Sequence, residues 1–258
     1  MAKYNKLAGK HVLVIGGSNG IGRGVVEGSI EAGARVTLSG SSPKSAAAAL
    51  AEVKAAYPTA QVAGIACDLS KDSVEEDLEA LFVEAEKPQP IDHVVLTAGD
   101  PLLVAGVQDI TLEKIRQVAH FRMELPMLLG KVTARHLARS NECSLTITTG
   151  GIADQPSPGW SLIAFVGAGI TGLTRNLAVD LKPVRVNAVE PGFVITGLWN
   201  SMGLTAEQLE GQARAVAEKV PTGRAATVED VAEAYVYLMK DRNATGEIVK
   251  TRSGSHLV

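Results

Sequence analysis

The chain has 258 residues, of which 46% are hydrophobic and 21% charged, a balance typical of a globular protein rather than a disordered one. Its 25 basic and 28 acidic residues leave a net charge of −3, so no basic excess favours nucleic acid as a partner. Two cysteines are too few for a disulfide framework, and we expect reduced thiols and a cytoplasmic location. The five histidines show no ligand spacing, so we expect no metal site.

Short apolar runs alternate with longer helical patterns along the whole chain. The runs predict seven strands, at residues 11–15, 35–39, 61–66, 93–97, 144–148, 184–189 and 247–250. The intervening patterns predict helices near residues 21–32, 44–56, 73–86, 112–137, 161–181 and 228–240. Near-continuous apolar runs are typical of strands buried on both faces. We therefore predict one α/β domain over residues 1–258, a doubly wound, seven-stranded parallel sheet of the Rossmann type with helices on both faces.

A glycine-rich segment follows the first predicted strand and opens the first predicted helix. It comprises Gly16, Gly17, Ser18, Asn19, Gly20, Ile21 and Gly22. Glycines allow a tight turn and a close approach to a pyrophosphate, and the helix amino end offers free N–H groups. The same residues match the G-x-S-x-G pattern of hydrolases, with Ser18 as nucleophile and His256 as its partner, but that motif normally follows several strands. A dinucleotide-binding loop is therefore the favoured interpretation.

The segment after the second predicted strand bears on the choice of cofactor. Dinucleotide-binding folds usually place an acid there, about 20 residues after the glycines, to bind the ribose 2′-hydroxyl. Residues 39–44 contain no acid but offer hydroxyls and a lysine, at Ser39, Ser41, Ser42 and Lys44. Because these groups suit a 2′-phosphate, the sequence favours NADP(H) over NAD(H) as the cofactor.

Three further motifs resemble those of the short-chain dehydrogenases/reductases. The glycine segment also resembles the T-G-x-x-x-G-x-G loop of that family. Residues 67–69 (CDL) are similar to the adenine-contacting C-D-V, residues 96–99 (LTAG) to N-N-A-G, and residues 185–192 (RVNAVEPG) to R-V-N-A-V-x-P-G. The resemblance covers nearly the whole chain and implies further contacts to the dinucleotide. The residues it assigns to these contacts are Asp68, Leu69, Thr97, Ala98, Gly99, Pro191, Gly192, Val194 and Thr196.

The catalytic residues of that family are missing from the matching positions. An ungapped alignment places Ile163 at the family's tyrosine and Gly167 at its lysine, and the serine position falls at Thr149 or Gly150. The asparagine position falls at Arg122. Carbonyl reduction needs a hydride and a proton, and neither isoleucine nor glycine supplies the proton. A hydride can still pass to an acceptor that is already cationic, such as an iminium, without an acid.

Residues 149–161 resemble an atypical branch of the family that lacks the same tyrosine and lysine. That branch includes fungal NADPH-dependent enzymes of bicyclo[2.2.2]diazaoctane indole alkaloid pathways, which reduce an iminium and direct an intramolecular Diels–Alder closure. The fungal enzymes resemble this chain in having an arginine at the position of Arg122, but they carry an aspartate where this chain has Ser157. The resemblance implies an NADP(H)-dependent oxidoreductase of secondary metabolism. The alternatives are a cofactor-assisted cyclase and a non-catalytic dinucleotide-binding protein.

Five residues are candidates for the catalytic site. Arg122 lies in a long amphipathic helix and could hold a substrate carbonyl or the cofactor, or could be a solvated helix charge. Asp154 and Glu190 follow the fifth and sixth predicted strands, where either carboxylate could pair with a cationic substrate. Ser157 and Trp160 lie in the branch-specific segment, and Trp160 could form a wall of the substrate pocket or stabilise the loop.

The helix predicted at 161–181 bears on membranes and partners. The segment at 155–174 carries no charge, but its apolar part covers only residues 160–173, fewer than the roughly 20 that a membrane span needs. We therefore expect a core or interface helix and no membrane. Its small residues suit the close helix packing of the oligomer interfaces in the resembled family. We expect a homodimer or homotetramer that acts on a small-molecule substrate.

Overall fold

The computed structural model describes residues 3–258 as a parallel sheet flanked by helices. The strands are β1 (His11–Ile15), β2 (Arg35–Gly40), β3 (Val62–Ala66), β4 (His93–Leu96), β5 (Ser144–Thr148), β6 (Arg185–Pro191) and β7 (Ile248–Thr251). Their order in the sheet is β3-β2-β1-β4-β5-β6-β7, and the pairings are parallel. The strand order reverses between β1 and β4, which creates a ligand-binding crevice at their carboxyl ends. The predicted doubly wound, seven-stranded fold is confirmed.

The α-helices lie on both faces of this sheet. They are α1 (Gly20–Glu31), α2 (Pro43–Ala56), α3 (Val74–Glu86), α4 (Leu112–Ala119), α5 (Leu125–His136), α6 (Ser161–Asp180), α7 (Gly197–Ser201), α8 (Ala206–Lys219) and α9 (Val228–Lys240). Three-residue 3-10 turns occur at Val107–Asp109, Gly151–Ala153 and Ser255–Leu257. The predicted strand ends differ from the observed ones by no more than two residues.

Alternate residues of β1 pack into two separate hydrophobic cores. Leu13 and Ile15 pack with residues of α3 and α5, whereas Val12 and Val14 pack with residues of α1 and α9. This alternation follows from the two-residue period of a strand that is covered on both faces. The two cores therefore hold the strand ends, and the loops that follow them, in fixed relative positions.

Two helical features differ from the sequence-based expectation. The long helix predicted at 112–137 is divided into α4 and α5 by a π-helical turn at His120–Glu124. Apolar periodicity predicts neither the short α7 nor α8, because no residue of either helix is buried and such periodicity signals burial rather than helicity alone. A capping box begins α8 instead: Thr205 Oγ1 accepts from the Gln208 N–H, and Gln208 Oε1 accepts from the Thr205 N–H at 2.9 Å.

Helix α6 has one buried side and one exposed apolar side. Its buried residues form a stripe of Ile163, Val166, Gly167, Ile170 and Thr174. This stripe packs toward β6 and the 3-10 turn that follows β5. On the other side Phe165 is 76% exposed. Within residues 3–258, α6 is the one helix long and apolar enough to cross a membrane by length and composition.

Candidate active site

A cavity of about 1270 Å³ opens at the carboxyl edge of the sheet. The loops after β1, β4, β5 and β6 form one part of its lining, and residues 193–201, the end of α8 and the segment after β7 complete it. Pockets for a single small ligand are usually about 300–1,000 Å³. The cavity is therefore large enough for a dinucleotide and part of a second small molecule.

The glycine loop has the geometry that a pyrophosphate requires. Gly16 has φ +89°, and a Cβ atom there would lie 2.5 Å from the Ala98 nitrogen. A Cβ atom on Gly22 would lie 2.1 Å from the Gly16 carbonyl oxygen. The amino end of α1 has Asn19 at its N-cap without a side-chain capping bond, so the first N–H groups of the helix are available to an anion. These features fit a dinucleotide phosphate.

Most of the predicted cofactor-binding residues line this cavity. Those that do are Gly16, Asn19, Gly20, Ile21, Gly22, Thr97, Ala98, Gly99, Pro191, Gly192, Val194 and Thr196. Thr97 also fixes the loop from below, because its hydroxyl donates to the carbonyls of Ile15 at 3.1 Å and Gly16 at 3.2 Å. The phosphate-binding and nicotinamide-binding segments predicted from the sequence therefore share one cavity.

The other predicted cofactor residues lie outside the cavity lining. They are Ser18, Ser39, Ser41, Ser42, Lys44, Asp68 and Leu69. The Ser39 hydroxyl is buried and accepts from the Gly16 N–H at 3.2 Å, so it supports the glycine loop. Ser42 caps α2 by accepting from the Ser45 N–H at 3.2 Å. Ser41 and Lys44 are exposed beside this cap, where their polar atoms can meet a ribose phosphate.

Arg122 lies in the π-helical turn between α4 and α5 and lines the cavity. Such a turn widens a helix locally and often occurs at functional sites. The guanidinium donates from Nη1 to Asp100 Oδ1 and from Nη2 to the Asp100 carbonyl oxygen at 2.8 Å. The side chains of Arg122 and Asp100 are 13% and 14% exposed. Burial lowers the pKa of Arg122 to about 10, so the group is cationic at neutral pH.

The positions of the missing tyrosine and lysine also border the cavity. Ile163 and Gly167 both line it, and the Thr149 hydroxyl donates to the Gly167 carbonyl at 2.9 Å. Among residues 3–258, no tyrosine, histidine or cysteine lines the cavity. Tyr235 is fully buried among core residues, and its hydroxyl shares a hydrogen bond with Thr148. Burial raises the pKa of Tyr235 above its ordinary value.

Asp154 and Glu190 belong to a charge cluster behind the cavity wall and do not line the cavity. Arg252 pairs with Glu190, Nη1 to Oε1 at 3.1 Å, and also with Asp154, which in turn pairs with Lys250. Hydrogen bonds from Arg252 and Lys250 lower the pKa of Asp154 to about 2. Burial raises the pKa of Glu190 despite its arginine partner. Both acids therefore stabilise Arg252, which does line the cavity, rather than facing a substrate directly.

Ser157 and Trp160 line the cavity, as do residues of the C-terminal segment. Gln155 joins the two regions: its Nε2 donates to the Ser255 carbonyl at 2.8 Å, and its Oε1 accepts from the Ser255 hydroxyl at 3.1 Å. Trp199 donates to the Val194 carbonyl at 2.7 Å, which holds its indole ring in the wall. The loop after β5 and the end of the chain thus form one side of the cavity together.

A family model described as an SDR-like Rossmann domain matches residues 3–258 of this chain. The chain belongs to the short-chain dehydrogenase/reductase family. The short-chain dehydrogenase/reductase fsr5 of Gibberella fujikuroi is 41% identical over 265 residues, which cover 100% of this chain and 98% of that protein. The family member malC of Malbranchea aurantiaca is 40% identical, with 96% of this chain and 95% of that protein covered.

A solved structure of a short-chain dehydrogenase/reductase family member extends this similarity to three dimensions. The structure of MalC reductase/Diels–Alderase from Malbranchea aurantiaca has a TM-score of 0.92 and 39% identity, and the match covers 99% of each chain. The expected resemblance to this fungal branch of the family is therefore confirmed. The chain is an oxidoreductase-family enzyme whose fold binds a nicotinamide dinucleotide.

Sequence reasoning missed three charged residues that line the cavity of this short-chain dehydrogenase/reductase, namely Asp100, Lys219 and Arg252. Asp100 follows β4 and lines the cavity, whereas the acids expected at the site from the sequence follow the fifth and sixth predicted strands. Its position four residues after the strand end is a signal that could have found it, because ligands bind at that edge. Arg252 follows β7, and no sequence pattern indicates that its side chain turns back toward Glu190.

Proposed function

We propose that this protein is an NADP(H)-dependent reductase of secondary metabolism that delivers a hydride to a preformed cationic carbon–nitrogen double bond. The observation that carries this proposal is the set of ionisable side chains that line the cavity. Within residues 3–258 these are Asp100, Arg122, Lys219 and Arg252. Histidine, the side chain whose ordinary pKa suits a general acid near neutral pH, is not among them, and neither is the family's tyrosine. A cationic acceptor requires no such acid.

The chemistry balances without a proton from the protein. When bound, a reduced nicotinamide supplies a hydride with its electron pair. The new C–H bond forms at the iminium carbon, the π electron pair moves to nitrogen, and the product is a neutral amine. The task of the chain is therefore to bind, orient and exclude water. The glycine loop would hold the pyrophosphate, and Ile163 and Trp160 give the substrate region apolar walls.

The preference for NADP(H) is supported by the end of β2. Residues 39–44 carry no acid that would repel a 2′-phosphate. Ser41 and Lys44 are exposed at the amino end of α2, where a helix terminus favours an anion. The NADPH dependence of the resembled fungal branch agrees with this preference.

A cyclase is the second candidate function. MalC, to which this chain is similar along its whole length, is described as a reductase/Diels–Alderase. A cavity that holds both the dinucleotide and a folded substrate could direct ring closure after, or in place of, hydride transfer. In this chain Ser157 stands at the position where the resembled branch carries aspartate, so we rank the reductase above the cyclase.

The experiment compares two acceptors under single-turnover conditions with excess enzyme and NADPH. N-Methyl-3,4-dihydroisoquinolinium is a permanent iminium, and α-tetralone is a ketone with a similar ring system. We expect rapid NADPH oxidation with the iminium and a rate at least 100-fold lower with the ketone, since loss of a general acid costs about 10²–10⁴-fold. Comparable rates with both acceptors would show that a residue in the cavity supplies a proton and would contradict the proposal.

The assembly and location of the protein are part of the same proposal. The exposed side of α6 presents Phe165 and Val179, which are 76% and 63% exposed, and Gly169 and Gly172 have open space where a Cβ atom would lie. Apolar and small residues on one helix side suit packing against a second copy. We propose a cytoplasmic homodimer or homotetramer. Light scattering measures the molar mass of the purified wild-type protein and of Phe165→Glu, and so tests this oligomeric state. A monomeric wild-type protein at micromolar concentration would contradict the proposed oligomer.

A further inference from the structure

Asp100 is the one aspartate or glutamate among residues 3–258 that lines the cavity. The other charges there are cationic: Arg122, Arg252 and Lys219. Arg252 is already paired with two acids behind the wall, and Lys219 is exposed at the end of α8. Without Asp100, the part of the cavity beside Arg122 would repel any substrate that carries a positive charge. Asp100 therefore decides which charge this part of the cavity accepts.

The backbone holds Asp100 close to the glycine loop. The N–H groups of Thr97 and Ala98 both donate to the Ile15 carbonyl at 2.9 Å, which fixes the segment after β4 against the end of β1. A Cβ atom on Gly99 would lie 4.0 Å from Arg122 Nη2. Asp100 thus follows directly after residues 97–99, which the family resemblance assigns to dinucleotide contacts, and Arg122 fixes both its side chain and its carbonyl.

The contact with Arg122 leaves part of the carboxylate available. Arg122 donates to Oδ1, and within residues 3–258 no hydrogen bond engages Oδ2. An ionised carboxylate accepts about four hydrogen bonds through its two oxygens. Because Asp100 is paired with a guanidinium, it suits the role of a charge partner for a second cation. The arrangement matches an acceptor that arrives already cationic.

We propose that Asp100 is a catalytic residue that contacts the cationic centre of the substrate, with Arg122 as the residue that positions it. This inference rests on the proposed function, because that function supplies the cationic substrate. It narrows the substrate class to small molecules with a fixed or protonated positive nitrogen, beside an apolar ring system that contacts Ile163 and Trp160.

The test measures binding to the NADP⁺-saturated protein, where no hydride is present. The probes are N-methyl-3,4-dihydroisoquinolinium and its uncharged carbon isostere, 3-methyl-1,2-dihydronaphthalene. We expect the wild type to bind the cation at least tenfold more tightly. Asp100→Asn should remove this preference and leave the affinities for NADP⁺ and for the isostere within threefold of wild type. Asp100→Glu should keep a preference for the cation.

Asp109→Asn is the matched control, because it removes the same charge from an exposed residue outside the cavity. We expect it to bind both probes as the wild type does. Equal affinity of the wild type for both probes would overturn the proposal whatever the variants do, and so would an unchanged cation preference in Asp100→Asn. Turnover separates the two proposals. Cation binding through Asp100 without reduction would refute only the reductase, whereas reduction that survives Asp100→Asn unchanged would refute only the role of Asp100.

Discussion

The charge cluster around Arg252 should contribute to folding stability more than to chemistry, and Glu190→Ala tests this. Arg252 is fully buried, and Glu190 is 2% exposed. Removing one partner of a buried ion pair costs about 3–5 kcal/mol, because the other charge stays buried. Asp154 remains as a second partner for Arg252, so we expect a loss near the lower end of that range, about 3 kcal/mol.

Asp154→Ala should have a smaller effect on stability than Glu190→Ala. The Asp154 side chain is 42% exposed, so solvent screens its pairing and the expected loss is about 1 kcal/mol or less. Glu210→Ala is the control, because Glu210 and its partner Arg214 are 74% and 70% exposed. We expect this control to leave stability unchanged. We therefore expect the free energy of unfolding to be lowest for Glu190→Ala, higher for Asp154→Ala, and equal to that of the wild type for Glu210→Ala.

Urea unfolding followed by circular dichroism measures these differences, with NADPH affinity and single-turnover rates recorded on the same samples. A folded Glu190→Ala protein should transfer hydride within about tenfold of wild type, since no charge that faces the substrate is removed. If Glu190→Ala loses more than a hundredfold in rate while its free energy of unfolding stays within 1 kcal/mol of wild type, Glu190 acts in the chemistry and the assignment of this cluster is wrong.

Three further perturbations test other parts of the structure. Ser41→Asp should weaken NADPH binding relative to NADH binding at least tenfold, about 1.4 kcal/mol, as measured by calorimetry, because the new carboxylate would repel a 2′-phosphate. Ser41→Asn is the uncharged control. Position 40 is not used, because a Cβ atom on Gly40 would lie 2.7 Å from a side-chain oxygen of α2. Gly22→Ala should lower dinucleotide affinity more than 100-fold, since its Cβ atom meets backbone at 2.1 Å; an unchanged affinity would contradict the glycine-loop geometry. The His136 pKa is raised, because two α3 glutamates outweigh the effect of burial, so its stabilising contribution is present below pH 6.5 and lost as pH rises through the folded-state pKa. His136→Gln should accordingly reduce stability more at pH 5.5 than at pH 8.5, by about 1 kcal/mol or less, and an equal reduction at both would refute this.

The fold was predictable because its strands are buried on both faces. Nearly continuous apolar runs such as those of β1 and β4 have few alternatives to the centre of a parallel sheet, and their burial is complete. Helix α8 was not predictable in the same way, because it buries no residue and its stability comes from local capping. The π-helical turn that presents Arg122 depends on tertiary packing, which leaves no periodic signal in the sequence.

The candidate site was predictable to the level of segments but not of partners. Topology places Asp154 and Asp100 beyond the ends of β5 and β4, and Glu190 next to the last residue of β6. It does not say which of the three acids faces the cavity. The answer depends on where their cations come from. Arg252 follows β7, far away in the sequence, and forms ion pairs with both Asp154 and Glu190. Arg122 leaves part of the third available to a ligand.

We propose that this chain transfers a hydride to a cationic carbon without a proton from the protein. The most direct test is mass spectrometry of the amine formed from N-methyl-3,4-dihydroisoquinolinium with NADPH that carries deuterium at C4, the two C4 epimers being used separately. We expect one deuterium at C1 of the product with one epimer and none with the other. A product without deuterium from either epimer, or a rearranged ring with no NADPH consumed, would contradict hydride transfer and leave the cyclase.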